Sequence, residues 1–385
     1  MNRPTALTPN TNWPVHIDKS GWYGKDVAKE DLVFQVGAEQ LAAFDALLAR
    51  INAAGTPLTS ITRTMFSDPR IDEFLAAAVS DLKWGLGLVI LRGMPVDAYS
   101  VDDLRKIYWG VGIHFGELIS QSRAGDRMGD VIAHPNSTRG YTSPKELGFH
   151  TDPIEILSLL CVQRSKTGGE NVFMSSLAIR EVVERERPDL MPVLLRGFRS
   201  WRLNEQAPGA EPVTPYRVPV FGEKEGLKSC WMFIHAAEGV ALALGEPLSD
   251  LEREAIAFVL EVCDRPEMGL LIQLERGEAV FMNNFEVLHS RQSFIQWEDP
   301  AKARHLLRLW CQSEPSRPLP DEMLVWHNPS GRQGIDPYPT DEASAQELVE
   351  RMKDPLNQTM RDCIEKIQTE LEAKRKAEQS HPQPV

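Results

Sequence analysis

Between positions 147 and 311 the chain keeps returning to short apolar runs separated by turn residues, with few helices predicted between them. Runs over 156–162, 170–174, 198–203, 218–221, 229–233, 270–274, 279–282 and 306–311 each predict a strand. A parallel βαβ sheet needs a crossover of about a dozen residues after each strand, usually a helix. Short strands joined by turns such as Thr167-Gly168-Gly169 instead build a sandwich or a barrel. Helices are predicted within this region over 177–186, 190–195 and 251–263, so the expected class is mainly β with flanking helices.

Before this region helical spacing dominates. Leu41, Phe44, Leu47, Leu48 and Ile51 recur with the period of a helix over 40–51. Asp68 caps and Pro69 opens a second helix, over 71–82. Ser100 caps a third, over 101–113, with Asp102 and Asp103 in the first turn, where the helix dipole favours acids. Residues 86–93 form a buried strand ended by Gly93, and 131–134 a short one. Late in the chain, Leu356, Met360, Cys363, Ile364, Ile367 and Leu371 mark a helix after Pro355 that could pack on the body or on a second subunit, leaving a homo-oligomer open. The expected division is an N-terminal extension with helices (1–84), a β core (85–313) and a C-terminal helical extension with a polar tail (314–385).

A net charge of −13 works against nucleic acid or an anionic membrane as partner, which leaves a small molecule. The five cysteines are scattered and odd in number, neither a disulfide framework nor a thiolate zinc site. That usage fits a reducing, cytoplasmic setting. Met1 to Pro14 is polar, unlike a signal peptide, and no run approaches the roughly 20 apolar residues that span a bilayer.

Chemistry enters at His150-Thr151-Asp152. Alternation along a strand puts His150 and Asp152 on one face, and an imidazole beside a carboxylate is two thirds of the facial triad that holds non-haem Fe(II). A third ligand must come from another strand, and His289 is the candidate, in an ordered β context after Gly277-Glu278. Arg304 and Arg308, four apart at an apolar strand, share a face. Buried arginines need a counter-ion, either an internal acid or, beside a metal, the carboxylate of a dicarboxylate cosubstrate. The other histidines read as structural or exposed. His114 ends a helix, His134 precedes a proline and His235 follows a strand. His305 points away from the arginines, and His16, His327 and His381 lie in polar or terminal segments.

Taken in order, these residues resemble the taurine-dioxygenase-like family of Fe(II)- and 2-oxoglutarate-dependent oxygenases. The resemblance runs through 87–95, through 116–125 with Gln121, and through His150-Thr151-Asp152. It continues with Lys166-Thr167-Gly168-Gly169-Glu170 and ends at His289-Ser290-Arg291 with Arg304 and Arg308, covering roughly 85–313. It implies a double-stranded β-helix, a cupin-like jelly roll, with the metal at one mouth. It implies Fe(II) on His150, Asp152 and His289, with 2-oxoglutarate and O2 as cosubstrates. Arg304 would pair with the distal carboxylate of 2-oxoglutarate, and Arg308 would touch cosubstrate or substrate. Asn171 stands where the family often has a Thr or Ser hydroxyl against 2-oxoglutarate, and an amide donates a similar hydrogen bond.

The reaction implied releases succinate and CO2 and hydroxylates an unactivated C–H bond of a small polar or anionic, amino-acid-like metabolite. Desaturation and ring closure stay open, while the carboxylate of Asp152 speaks against halogenation. Trp201, Arg202, Tyr216 and 231–233 are candidates for the substrate pocket. Two other readings compete. One is a non-catalytic jelly-roll metal-binding or sensor protein, against which the intact triad and arginines count. The other is a metal-dependent isomerase or hydrolase, which has no use for a dicarboxylate clamp.

Overall fold

A computed structural model describes residues 21–133, 143–207, 209–326, 328, 330–338, 341–362, 366 and 369. The first part of the chain forms β1 (Val33–Gln35), α1 (Ala38–Ala53), α2 (Pro69–Trp84), β2 (Leu88–Arg92) and α3 (Val101–Phe115). The caps are the expected ones. Asp68 accepts a hydrogen bond from the Arg70 N–H at 3.1 Å and Ser100 from the Asp103 N–H at 3.1 Å.

Short strands follow: β3 (Glu117–Leu118), β4 (Met128–Ile132), β5 (Leu147–His150), β6 (Ile156–Gln163), β7 (Thr167–Gly168) and β8 (Asn171–Ser175). Next come α4 (Ser176–Glu186) and α5 (Met191–Arg196), then β9 (Phe198–Trp201) paired with β10 (Val213–Val218) and β11 (Phe221–Lys224) paired with β12 (Leu227–Cys230). The remainder is α6 (Ala237–Ala243), α7 (Asp250–Cys263), β13 (Leu270–Ile272), β14 (Glu278–Asn283), β15 (Val287–Arg291), β16 (Phe294–Ile295), β17 (His305–Gln312) and α8 (Glu342–Lys353).

Two sheets carry the fold. The larger runs β1-β2-β14-β6-β17-β3, with β4 also on β17, and the smaller runs β13-β8-β15-β5. Side-chain alternation sorts their faces. On β17, Leu307, Leu309 and Cys311 join Phe44, Leu75, Tyr108 and Phe115 of α1–α3 in an outer core. Leu306 and Trp310 turn the other way, to Leu157, Leu159, Cys161, Phe173, Leu270 and Ile272, which fill the space between the sheets. The far face of the smaller sheet, with Met174 and Leu288, is covered by Val182 and Val183 of α4 and Val259 and Val262 of α7. Burying each such side chain contributes about 1.5–3 kcal/mol. This is the expected jelly roll flanked by helices, open rather than closed into a barrel.

Local departures have local causes. The run 218–221 is the break between β10 and β11, because Pro219 has no N–H for a ladder. Glu225 and Gly226, both at positive φ (54° and 79°), make the two-residue hairpin turn from β11 to β12. β4 lies earlier than 131–134, and β5, which carries His150, does not stand out as an apolar run. Residues 355–362 are helical, whereas Cys363, Ile364, Ile367 and Leu371 of the predicted late helix lie outside the described residues, as do His16, His134, His327 and His381. Cys161, Cys230, Cys263 and Cys311 are free and buried. No helix among the described residues is long and apolar enough to cross a membrane.

Candidate metal centre

β5 and β15 are antiparallel neighbours, and His150 sits directly opposite His289 across the ladder. Their ring centroids are 4.2 Å apart. Asp152 reaches the same place by a route that strand alternation did not foresee, since β5 ends at His150. Thr151 turns away, its hydroxyl accepting a hydrogen bond from the Met232 N–H at 3.0 Å. The Asp152 N–H donates to Asn284 Oδ1 at 3.0 Å, and the Asn284 amide donates back to the carbonyls of Asp152 and Ile154. The carboxylate then lies with Oδ1 3.6 Å from His150 Nε2, while Oδ2 accepts the Trp310 indole N–H at 3.1 Å. One ligand atom from each of His150, Asp152 and His289 lies within 4.8 Å of the others.

The electrostatics suit a cation. His150 Nδ1 is 2.8 Å from the Gly148 carbonyl, which can only accept; Nδ1 therefore carries the proton and Nε2 keeps its lone pair for the site. Burial, with the neighbouring His150, pushes the His289 imidazole down to about 3, against the pull of Asp152, so it is neutral as a ligand must be. Burial opposes the charge on Asp152, yet Arg308, His289, His150 and the Trp310 N–H together hold its carboxyl below the usual range. His289 Nδ1 is buried without a hydrogen-bond partner among the described residues. Two imidazoles and one carboxylate, with a buried nitrogen left over, fit Fe(II) in the facial arrangement.

Arg304 and Arg308 face the interior, as their spacing predicts, but their surroundings differ. The Arg308 Nε donates to Gln121 Oε1 at 2.6 Å, and Nη1 lies 3.7 Å from Asp152 Oδ2. A Cβ on Gly129 would come within 2.9 Å of Gln121 Oε1, so only glycine leaves room for that contact. The Arg304 guanidinium is buried over the Phe294 ring, 5.0 Å from its centroid, with no carboxylate partner among the described residues. Burial pushes it down to about 10. Gly169, at φ +81°, lies against it; a Cβ there would stand 3.4 Å from Arg304 Nε. Asn171 is buried at the start of β8, directly opposite Arg291.

Sequence reasoning missed Asn284 and Trp310, and it gave Arg291 no role of its own within the His289-Ser290-Arg291 motif. Asn284 sits in the β14–β15 turn, and no local signal ties it to Asp152. Arg291 could have been found, two residues beyond His289 and therefore on its face. His235 is no bystander, because its Nε2 is 2.9 Å from the Phe149 carbonyl and braces β5. His114 and His305 lie elsewhere, the first against the Phe66 carbonyl at 2.9 Å and the second against Asp130 at 2.7 Å. Trp201 belongs to a core with Met360 and donates to Asn357 at 3.0 Å, so it does not line a pocket.

A jelly roll carrying this donor set between its sheets defines a class, the non-haem iron oxygenases. The chain belongs to the taurine catabolism dioxygenase TauD, TfdA family, whose model matches residues 54–310. The match begins well before the first motif read at Gly87. Among curated proteins, FR-33289 synthase of Streptomyces rubellomurinus is 30% identical over 71% of this chain and 83% of its own length. The taurine hydroxylase-like protein SAT17 of Stachybotrys chartarum is 26% identical over 82% of each. Solved structures share the fold. An asparagine oxygenase with Fe(II), 2S,3S-3-hydroxyasparagine and succinate has a TM-score of 0.57 at 16% identity, covering 72% of this chain and 93% of its own. The non-haem iron oxygenase OrfP with Fe and alpha-ketoglutaric acid has a TM-score of 0.55 at 14% identity, covering 76% and 99%. The protein is a 2-oxoglutarate-dependent non-haem iron dioxygenase, and His150, Asp152 and His289 could bind its iron.

Proposed function

We propose that this dioxygenase hydroxylates an unactivated C–H bond of a small polar or anionic, amino-acid-like metabolite. His150, Asp152 and His289 hold Fe(II), and Arg304, Arg308 and Asn171 bind 2-oxoglutarate. The observation that carries the reading is convergence. Two imidazoles and a carboxylate meet with ligand atoms within 4.8 Å, while Arg304 is buried on the interior side without a counter-ion among the described residues.

When bound, Fe(II), 2-oxoglutarate and O2 supply the oxidising power, one oxygen atom leaving in succinate as CO2 is lost and the other entering the C–H bond. The chain's own part is placement. Gly148 fixes the tautomer of His150, Asn284 fixes the backbone of Asp152, and Trp310 and Arg308 keep its carboxylate charged. Leu157, Phe173 and Ile272 keep the space between the sheets dry. Arg308, already against Asp152, sits beside the metal ligands and suits the carboxylate end nearest the iron.

Support for the substrate class is chemical. The Trp231 and Trp326 indole rings meet edge to face at 6.0 Å, and both Nε1–H groups are buried without partners among the described residues. Residue 231 adjoins Met232, which is bonded to Thr151 between the ligands. Such donors suit acceptor oxygens on a compact polar molecule. The asparagine oxygenase and OrfP structures, with 3-hydroxyasparagine and with hydroxy-arginine, point the same way. The tripartite division 1–84, 85–313 and 314–385 belongs to this proposal, with the last part covering the site. The Gly334 N–H donates to the Pro153 carbonyl, next to Asp152, at 2.9 Å. A panel of amino acids and related small anions, screened for stimulated succinate release, tests the class. Stimulation by a member of the panel supports it, and stimulation confined to large apolar compounds would refute it.

A further inference from the structure

Arg291 ends β15 two residues after His289, so it points to the same inner face. It is buried, opposite Asn171 on β8. Its guanidinium lies 4.7 Å from the Phe294 ring centroid, the same ring that Arg304 covers at 5.0 Å. The side chain donates to the Lys145 carbonyl through Nη2, while Nε is buried with no partner among the described residues. No described carboxylate pairs with either arginine. The buried Arg317, by contrast, has Glu286 at 2.7 Å. The backbone is built around this spot. The Gly169 N–H donates to the Ser293 carbonyl at 3.1 Å and the Gln292 N–H to the Glu170 carbonyl at 2.9 Å, which holds 169–171 against 291–294.

Two buried guanidiniums sharing one ring, with no anion beside them among the described residues, would destabilise the fold unless a ligand brings the counter-charge. A carboxylate is the smallest group able to serve both, because its two oxygens offer about four acceptor sites. We propose that Arg291 acts with Arg304 as a second guanidinium for the distal carboxylate of 2-oxoglutarate, and so sets the preference of the site for a dicarboxylate over a monocarboxylate 2-oxo acid. This rests on the cosubstrate reading above. Arg291 is a binding residue here, and it needs no direct contact with the iron.

The test is calorimetric titration of the full-length, Fe(II)-loaded protein under anaerobic conditions with 2-oxoglutarate and, separately, with 2-oxobutyrate, which lacks the distal carboxylate. Arg291→Gln is expected to weaken 2-oxoglutarate binding by about tenfold or more, as for loss of one charged hydrogen-bonding partner, and to change 2-oxobutyrate binding less than about twofold. Arg291→Lys is expected to keep part of the preference, since it keeps the charge and loses the fork. Equal weakening toward both acids would make Arg291 a structural residue and overturn the proposal, as would unchanged affinity for both. If the glutamine variant does not fold, the lysine variant decides. A narrowed preference supports the proposal and an unchanged one overturns it. Wild-type protein that binds neither acid would overturn the cosubstrate reading itself, and this proposal with it.

Discussion

Two buried polar clusters lie in this core, and they are finished in opposite ways. Around Arg317 every charge has its partner inside the chain. The guanidinium meets Glu286 at 2.7 Å, the Lys228 carbonyl at 2.7 Å and Ser229 at 3.2 Å, and the Arg317 backbone N–H donates to Glu155 at 3.1 Å. Ser313 completes Glu155 through its N–H and its hydroxyl. Around His289, Arg291 and Arg304 the count is incomplete. Among the described residues a ring nitrogen and a guanidinium nitrogen are buried without a partner, and no carboxylate faces either arginine. A cluster that closes on itself holds architecture, whereas one left open is shaped for something that arrives from outside. Arginine serves both, so the residue type alone does not distinguish them.

Substitutions in either cluster tell the two apart. Arg317→Met leaves Glu286 buried without its counter-ion and should cost about 3–5 kcal/mol, read from urea unfolding; a loss within about 0.5 kcal/mol would mean that the closed cluster carries no weight. A buried histidine outside the open site gives the next effect. Burial pushes His114 down to about 4, against an ordinary 6.5. Between those values the unfolded chain takes up a proton that the folded chain refuses, so stability falls as pH is lowered from about 6.5 to 4. The loss from this residue approaches about 3 kcal/mol, and His114→Gln should flatten that part of the profile of the chelator-treated protein.

The open cluster should instead respond to its ligands. Removing Fe(II) with a chelator should lower stability by about 2.7 kcal/mol relative to protein held at a hundred times the metal's dissociation constant, seen as a shift in the urea midpoint. Arg304→Met should weaken 2-oxoglutarate binding by about thirtyfold, roughly 2 kcal/mol, with the fold intact by circular dichroism. Trp310→Phe removes the N–H on Asp152, along with part of the ring under Arg308, and should weaken Fe(II) binding by about tenfold, measured by anaerobic dialysis.

Much of this was legible in the sequence because it depends on local rules. The strand period put Arg304, Leu306, Arg308 and Trp310 on one face, and capping residues marked α2 and α3 within a few positions. His150 and Asp152 were found by a two-residue period that the backbone does not keep, since β5 stops at His150 and Asn284 does the placing. That contact joins residues 132 positions apart, so no local pattern encodes it. The difference between Arg304 and Arg308 was equally hidden. It depends on Gln121 crossing over Gly129 to reach one arginine and on no acid reaching the other.

The open cluster is proposed to be a metal and 2-oxo acid site. The most direct measurement is the weak visible charge-transfer band that forms when 2-oxoglutarate is added anaerobically to the Fe(II)-loaded protein. The band should appear in the wild-type protein and in His305→Gln, whose imidazole is occupied with Asp130, and should vanish in His150→Ala and His289→Ala. A band that persists in both alanine variants, or a wild-type protein that shows none and makes no succinate in air, would contradict it.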